Sequence, residues 1–173
     1  MSKKRITKAY WLWFQFSEKD MKKLNRIKFL VNKKISGPKF DIHLTLIGPY
    51  FKINKINYDL IKNITKKIKK FKINLKKYSY TKEKFTSLFI DVKKTYKLLS
   101  IREKFKKTNY FKSKDIYKPH ISLFYGIVDK KTKIKIISKL PKLLKSCTVD
   151  KICIVDVNEN INKWKIIKKL KLN

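Results

Sequence analysis

Two stretches, Ile42-His43-Leu44-Thr45-Leu46-Ile47-Gly48 and Pro119-His120-Ile121-Ser122-Leu123-Phe124-Tyr125-Gly126, decide how this chain is read. Each runs histidine, apolar, hydroxyl, apolar, and each closes on a glycine. Successive side chains on a β-strand point to opposite faces. His43 and Thr45 therefore share one face while Leu44 and Leu46 take the other, and His120 and Ser122 repeat the arrangement. Each strand offers an imidazole and a hydroxyl to one surface and buries its aliphatic residues behind.

That pairing suits hydrolysis of a phosphodiester without a metal. One imidazole can take a proton from an attacking water and the other can give one to the leaving oxygen, because histidine titrates near neutrality. The hydroxyls of Thr45 and Ser122 can hydrogen-bond the non-bridging phosphoryl oxygens. A lone His-x-Thr on a strand is more often an ordinary histidine. Here the motif occurs twice and uses both histidines of the 173-residue chain, so His43 and His120 are the candidate acid–base pair.

Working outward, residues 8–16 read as a strand with Tyr10, Leu12, Phe14 and Phe16 on one side and Trp11, Trp13 and Gln15 on the other. Ser17 and Asp20 are expected to form a capping box for a helix carrying Met21, Leu24, Ile27 and Val31. Residues 41–47 form a strand. A basic helix over 57–69 turns Leu60, Ile61, Ile64 and Ile68 inward. Strands follow at 71–80 and 85–92, then a helix opened by Thr95 with Leu98, Ile101 and Phe105. The second motif makes a strand at 119–125. Asp129 caps a helix running to Leu140, where Pro141 disturbs it. Strands at 147–157 and 161–171 complete the order β-α-β-α-β-β-α-β-α-β-β. This predicts an α+β fold: two pseudo-symmetric lobes of antiparallel sheet with flanking helices around a central cleft, one bilobal domain over residues 1–173.

Composition sets the bounds. A hydrophobic content of 43% can build a core. A net charge of +35 concentrates anions and suits nucleic acid or phosphate ligands. Lysine, isoleucine and asparagine are all over-represented, as an AT-rich genome produces, so the charge supports a reading without deciding it. No apolar run approaches the ~18 residues of a membrane span. The basic Met1–Arg5 is followed by an aromatic stretch too short for a signal peptide, and a cytoplasmic protein is expected. Cys147 and Cys153 lie about 20 Å apart on one predicted strand, beyond disulfide reach, and read as buried thiols. Two histidines and two cysteines without CxxC or HxxxH spacing argue against a metal site. No glycine-rich loop suggests ATP or NAD, so no cofactor is expected.

The paired motifs resemble those of the 2H phosphoesterase superfamily, and within it the cyclic phosphodiesterase branch that includes the plant cyclic nucleotide phosphodiesterases. Tyr10 to Trp13, the turn Ser36-Gly37-Pro38-Lys39-Phe40, the run from His120 to Tyr125, and Asn162-Lys163-Trp164 extend the resemblance along most of the chain. The resemblance implies that His43 and His120 are catalytic, that Thr45 and Ser122 bind phosphate, that Tyr125 helps bind substrate, and that Trp13 can stack on a base. It implies opening of 2′,3′-cyclic phosphates or of ADP-ribose 1″,2″-cyclic phosphate; a monomer is expected. Related members cleave 2′,5′-linked oligoadenylates, and some viral ones destroy cyclic-nucleotide immune signals. The basic surface leaves an RNA-derived substrate, RNA processing, or a non-catalytic RNA-binding module as further readings. One departure stands in the first motif: Asp41-Ile42 replaces the proline that often precedes its histidine, and Asp41, if close, would raise the His43 pKa.

Overall fold

The computed structural model describes residues 8–108 and 116–173; Met1–Arg5, on which the leader-peptide reading falls, lies outside them. The elements are β1 (Lys8–Phe16), α1 (Glu18–Asn32), β2 (Leu44–Tyr50), α2 (Lys55–Lys66), β3 (Phe71–Tyr80), β4 (Leu88–Val92), α3 (Tyr96–Lys106), β5 (His120–Phe124), α4 (Lys130–Ile137), β6 (Ser146–Asn158) and β7 (Lys165–Lys171). Each of these helices starts on a polar cap. Ser17, Asn54, Thr95 and Asp129 each accept from the backbone N–H three residues on, satisfying a donor that the first helical turn leaves unpaired.

The strands form one antiparallel sheet in the order β1-β2-β5-β4-β3-β6-β7, and β1 also pairs with β6. That extra pairing closes six strands into a ring, with β7 added outside β6. Exchanging β1 with β4, β2 with β5 and β3 with β6 returns the same ring. The chain is thus two copies of one strand–helix–strand–helix–strand unit, and β7 breaks the symmetry. The helices follow the same exchange: α1 packs on β5, and α3 packs on β2. The junction between β2 and β5 is a single bridge, Leu44 to Ile121.

One face of the ring packs against the helices. Leu12, Phe14 and Phe16 of β1, Leu44 and Leu46 of β2, Leu88 and Ile90 of β4, and Ile121 and Leu123 of β5 join Leu24, Ile61, Leu98 and Phe105 in one buried core. The opposite face carries a small second cluster in which Trp13 packs with Cys153 and Val155, flanked by Trp11, Trp164 and Ile166. The alternation read in β1 therefore separates core from cleft.

Two expectations are corrected, and the cysteines show a feature not read from the sequence. Leu60 is 44% exposed, because α2 spans 55–66 and presents Ile61 to the core instead. The capping box at Ser17 is half of one. The Ser17 hydroxyl caps Asp20, but the Asp20 carboxylate accepts from the Thr148 N–H at 2.8 Å while the Ser17 N–H donates to the Thr148 carbonyl. Asp20 thus ties α1 to β6 rather than closing its own helix. The cysteines, six residues apart, do not share a face. The β1–β6 register slips between Gln15, opposite Lys151, and Phe16, opposite Val149. This bulge reverses the alternation, so Cys147 faces the core and Cys153 faces the cleft. Both are buried free thiols, and burial pushes each up to about 12.

Candidate active site

The bridge between Leu44 and Ile121 organises the cleft. Both residues are buried in the core. In an antiparallel pair their sequence neighbours face each other on the other side of the sheet. The bridge thus sets His43 across from Ser122 and Thr45 across from His120, a four-group cross with the pseudo-two-fold axis at its centre. The sequence motifs, 77 residues apart along the chain from their numbering, meet here because β2 and β5 are equivalent strands of the two copies.

Both imidazoles are held in the same way. His43 Nδ1 lies 2.6 Å from the Asp41 carbonyl, and His120 Nδ1 lies 2.8 Å from the Lys118 carbonyl. A carbonyl only accepts, so Nδ1 carries the proton in each ring, and the neutral ring keeps its lone pair on Nε2. Asp41 therefore meets His43 through its backbone, not its carboxylate. The expected rise in the His43 pKa is reversed. Burial, helped by the charges of His120 and Lys28, outweighs the Asp41 carbonyl bond and pulls the imidazole down to about 3.

His43 is 3% exposed and lies flat against Trp13, with ring centroids 3.5 Å apart and planes 6° from parallel. Trp13 is itself 3% exposed, so it presents almost no ring to a base; its register partner on β2 is Thr45. The stacking role read for Trp13 gives way to a supporting one, because the cleft side of β1 is covered by Cys153, Val155 and Trp164. Ser122 is buried, and Thr45 half-buried. The Ser122 hydroxyl hydrogen-bonds the Tyr125 phenol, whose pKa burial pushes up to about 12, so the phenol stays a donor.

An aromatic wall continues from the imidazole. Phe40 sits edge-on to His43 at 6.3 Å and stacks on Tyr125 at 4.1 Å. Tyr125 meets Trp164 at 5.7 Å, and Trp164 returns to Trp13 at 5.7 Å, closing a ring of aromatic contacts. Phe85, from a turn of 3-10 helix over Lys84–Thr86, is 50% exposed and nearly parallel to Trp164, at 11° and 6.4 Å. The Trp164 indole is anchored by its Nε1–H, which donates to the Asn158 carbonyl at 2.8 Å. A cavity of about 570 Å³ opens beyond Tyr125, between Ser36–Pro38, Gly126–Val128 and Glu159–Asn162. Phe40 and Phe85 were not singled out from sequence. Phe40 lies in the Gly-Pro-Lys-Phe turn that carried part of the resemblance, whereas Phe85 was read as the first residue of a strand over 85–92 and lies instead in the turn before β4.

One imidazole just before β2, one opening β5, and two strand-borne hydroxyls about a pseudo-two-fold axis, in an α+β ring with helices outside, define a phosphoesterase of the 2H superfamily. A family model described as cyclic phosphodiesterase-like protein matches residues 9–172, and the chain belongs to that family. It is a phosphodiesterase-class enzyme by that membership. Among solved structures it is similar to E. coli LigT complexed with 3′-AMP, at 13% identity over 96% of this chain and 99% of that one, TM-score 0.67. It is also similar to E. coli LigT complexed with ATP, at 11% identity over 96% and 98%, TM-score 0.62. The protein TT0787 of Thermus thermophilus matches at 15% identity over 95% and 97%, TM-score 0.64. No curated protein matches by sequence. Among the described residues no helix is long and apolar enough to cross a membrane.

Proposed function

We propose that this enzyme hydrolyses a cyclic phosphodiester, of the 2′,3′-cyclic or ADP-ribose 1″,2″-cyclic kind, with His43 and His120 as general base and general acid and without a metal. The observation that carries this reading is the matched pair of Nδ1–carbonyl bonds, which leaves Nε2 of both rings for chemistry. One Nε2 accepts a proton from water as the water oxygen attacks phosphorus. The bond from phosphorus to one ribose oxygen breaks, and that oxygen takes a proton from the other Nε2–H. Thr45 and Ser122 donate to the non-bridging oxygens as charge builds on them. Tyr125 keeps Ser122 oriented, and the exposed ring of Phe85 beside the half-buried ring of Trp164 offers a surface for the base. The 3′-AMP in the LigT structure supports a ligand of nucleotide size.

A second reading keeps the site and enlarges the substrate to an RNA-derived oligonucleotide. The observation favouring it is charge: 47 Lys and Arg against 12 Asp and Glu. A steep fall of affinity with salt distinguishes it from a mononucleotide substrate, which gives a shallow one.

The central experiment is hydrolysis of 2′,3′-cyclic nucleotides with and without chelator, resolved by product. Turnover is expected to persist in chelator and to vanish in His43→Ala and in His120→Ala. Full activity in both variants would refute the paired-histidine mechanism.

A further inference from the structure

Beyond Tyr125 lies a recess that the hydrolytic step does not use. Its volume of about 570 Å³ falls in the range of small-molecule sites, about 300–1,000 Å³. Three connections meet around it: the turn at Ser36–Pro38, the loop after β5 at Gly126–Val128, and the β6–β7 connection at Glu159–Asn162. They are tied together. The Lys39 N–H donates to the Asn162 side-chain oxygen at 2.8 Å, which joins the first turn to the β6–β7 connection. The Gly126 N–H donates to the Lys84 carbonyl at 2.9 Å, which fastens the loop after β5 to the 3-10 turn that carries Phe85. The Phe124 ring packs against both Gly37 and Gly126, and a Cβ on either would drive into it. The recess is therefore built into the fold.

Its lining differs in chemistry from the chain as a whole. The chain carries 47 Lys and Arg against 12 Asp and Glu, yet the recess is lined by one lysine, Lys84, and one acidic residue, Glu159. A pocket for a cluster of phosphates gathers cations; this one balances them. The other polar residues are Ser36, Asn160 and Asn162. The Asn160 side-chain oxygen accepts from the Asn162 N–H at 3.1 Å, and the Asn162 oxygen is taken by the Lys39 N–H. Both partners are backbone donors, so the oxygen end of each amide is fixed and the two NH2 groups are left to donate. Tyr125, Phe124 and Ile161 supply apolar wall. Amide donors beside aromatic and aliphatic wall, with little net charge, are the chemistry that takes an unstacked nucleobase.

The recess also adjoins the reacting groups. The Tyr125 phenol bonds Ser122, and the same residue lines the recess. Phe85, part of the surface offered to the base of the reacting nucleotide, meets the Tyr125 ring at 5.6 Å, and its sequence neighbour Lys84 lines the recess. Lys84 thus falls between the two, a single cation for a single linking phosphodiester. The pyrophosphate of an ADP-ribose compound would bring two charges to that place.

We propose that the recess beyond Tyr125 is a second nucleoside subsite, and that the substrate is an RNA 3′ end, with the terminal 2′,3′-cyclic phosphate at the histidines and the preceding nucleoside in the recess. This rests on the hydrolytic function proposed above and selects, within it, an oligonucleotide over a mononucleotide.

The test compares kcat/KM for adenosine 2′,3′-cyclic phosphate, for the dinucleotide ApA ending in the same cyclic phosphate, and for ADP-ribose 1″,2″-cyclic phosphate. The dinucleotide is expected to exceed the mononucleotide by about 10-fold or more, the effect of one base contact. Asn160→Asp and Asn162→Asp keep the oxygen that each loop bond needs and remove the NH2 donor. Each is expected to lower the dinucleotide-to-mononucleotide ratio by about 5-fold. A ratio near one in wild type, or a ratio that both variants leave in place, overturns the proposal. A gain with the ADP-ribose compound and none with the dinucleotide overturns the assignment to RNA. A second readout needs no turnover: the side-chain NH2 signals of Asn160 and Asn162 are expected to shift with ApA 3′-phosphate and to stay in place with adenosine 3′-phosphate. If the wild-type chain opens no cyclic phosphate, the hydrolytic reading fails, while these shifts still decide the subsite: their presence supports it and their absence overturns it. Should N162D disturb the loop, N160D carries the same comparison.

Discussion

His43 makes folding sensitive to acid in a way that can be measured without any substrate. Its ordinary pKa is 6.5, and in the folded protein it is pulled down to about 3 by burial and by the neighbouring positive groups. The unfolded chain binds this proton below pH 6.5; the folded chain resists it until about pH 3. Between those limits the unfolded state holds more protons, so stability rises with pH and falls as acid is added. The stability that His43 confers is fully present above pH 6.5 and is lost progressively toward pH 3. Each pH unit is worth about 1.4 kcal/mol, so the span gives a ceiling of about 5 kcal/mol. Local opening that hydrates the ring caps the loss below that ceiling. The perturbation is His43→Asn, whose amide can still donate toward the Asp41 carbonyl but does not titrate. Urea unfolding of wild type and variant at pH 7.5, 6.5, 5.5 and 4.5 isolates the effect, because carboxylate titration is common to both and cancels. From pH 6.5 to 4.5 wild type is expected to lose about 2 kcal/mol more than the variant, a midpoint difference of about 1 M at m-values of about 2 kcal/mol/M. A constant offset between the two proteins is immaterial. Parallel pH dependences would refute the reasoning, since they would mean that His43 takes up its proton in place without cost.

Trp13→Leu removes the ring that lies flat on His43; a stack worth about 0.5–1.5 kcal/mol predicts a kcat about 2- to 12-fold lower with KM little changed. A raised KM at constant kcat would show that Trp13 contacts substrate instead. Ser122→Ala is expected to lower kcat by about 100-fold, the cost of one donor to developing oxyanion charge, and an unaltered kcat would remove Ser122 from the phosphate site. Gly48→Ala would drive a Cβ into the Trp11 indole; overpacking of about 1–3 kcal/mol predicts a Tm lower by about 2–4 °C for each kcal/mol, and an unchanged Tm would mean that Trp11 swings aside.

Most of the architecture could be read from alternation and caps because those signals are local. β1 and β3 have the bounds their patterns predict, and Ser17, Thr95 and Asp129 open helices as expected. The pairing of the two histidine segments was legible because each motif carries its own face assignment, and pseudo-symmetry then brings equal faces together. What escaped depends on distant partners. The bulge that turns Cys153 toward the cleft is a mismatch between β1 and β6, visible in neither strand alone. Lys28 looks like any other lysine of a basic helix until Phe40 folds beneath its ammonium. Asp41 misled because proximity along the chain was taken for carboxylate contact, whereas its carbonyl makes the bond and burial decides the sign. The reach of β2 to Tyr50, across Gly48 and Pro49, was missed because glycine and proline ordinarily end a strand.

The single bridge at Leu44 and Ile121 has a consequence for how the enzyme fails. Every other junction in the ring is a ladder of several residues, and this one alone joins β2, which follows directly on His43, to β5, which opens on His120. Beyond it the β2 carbonyls of Thr45 and Leu46 are met by the Tyr117 hydroxyl and the Arg102 guanidinium rather than by β5. The reactive groups thus straddle the seam of the barrel, where separation breaks fewest backbone bonds. Warming is therefore expected to part the two imidazoles before it melts either set of strands. Inactivation is expected to precede loss of secondary structure, and the amides on the two lips of the seam to exchange with solvent ahead of those in β1 and β6.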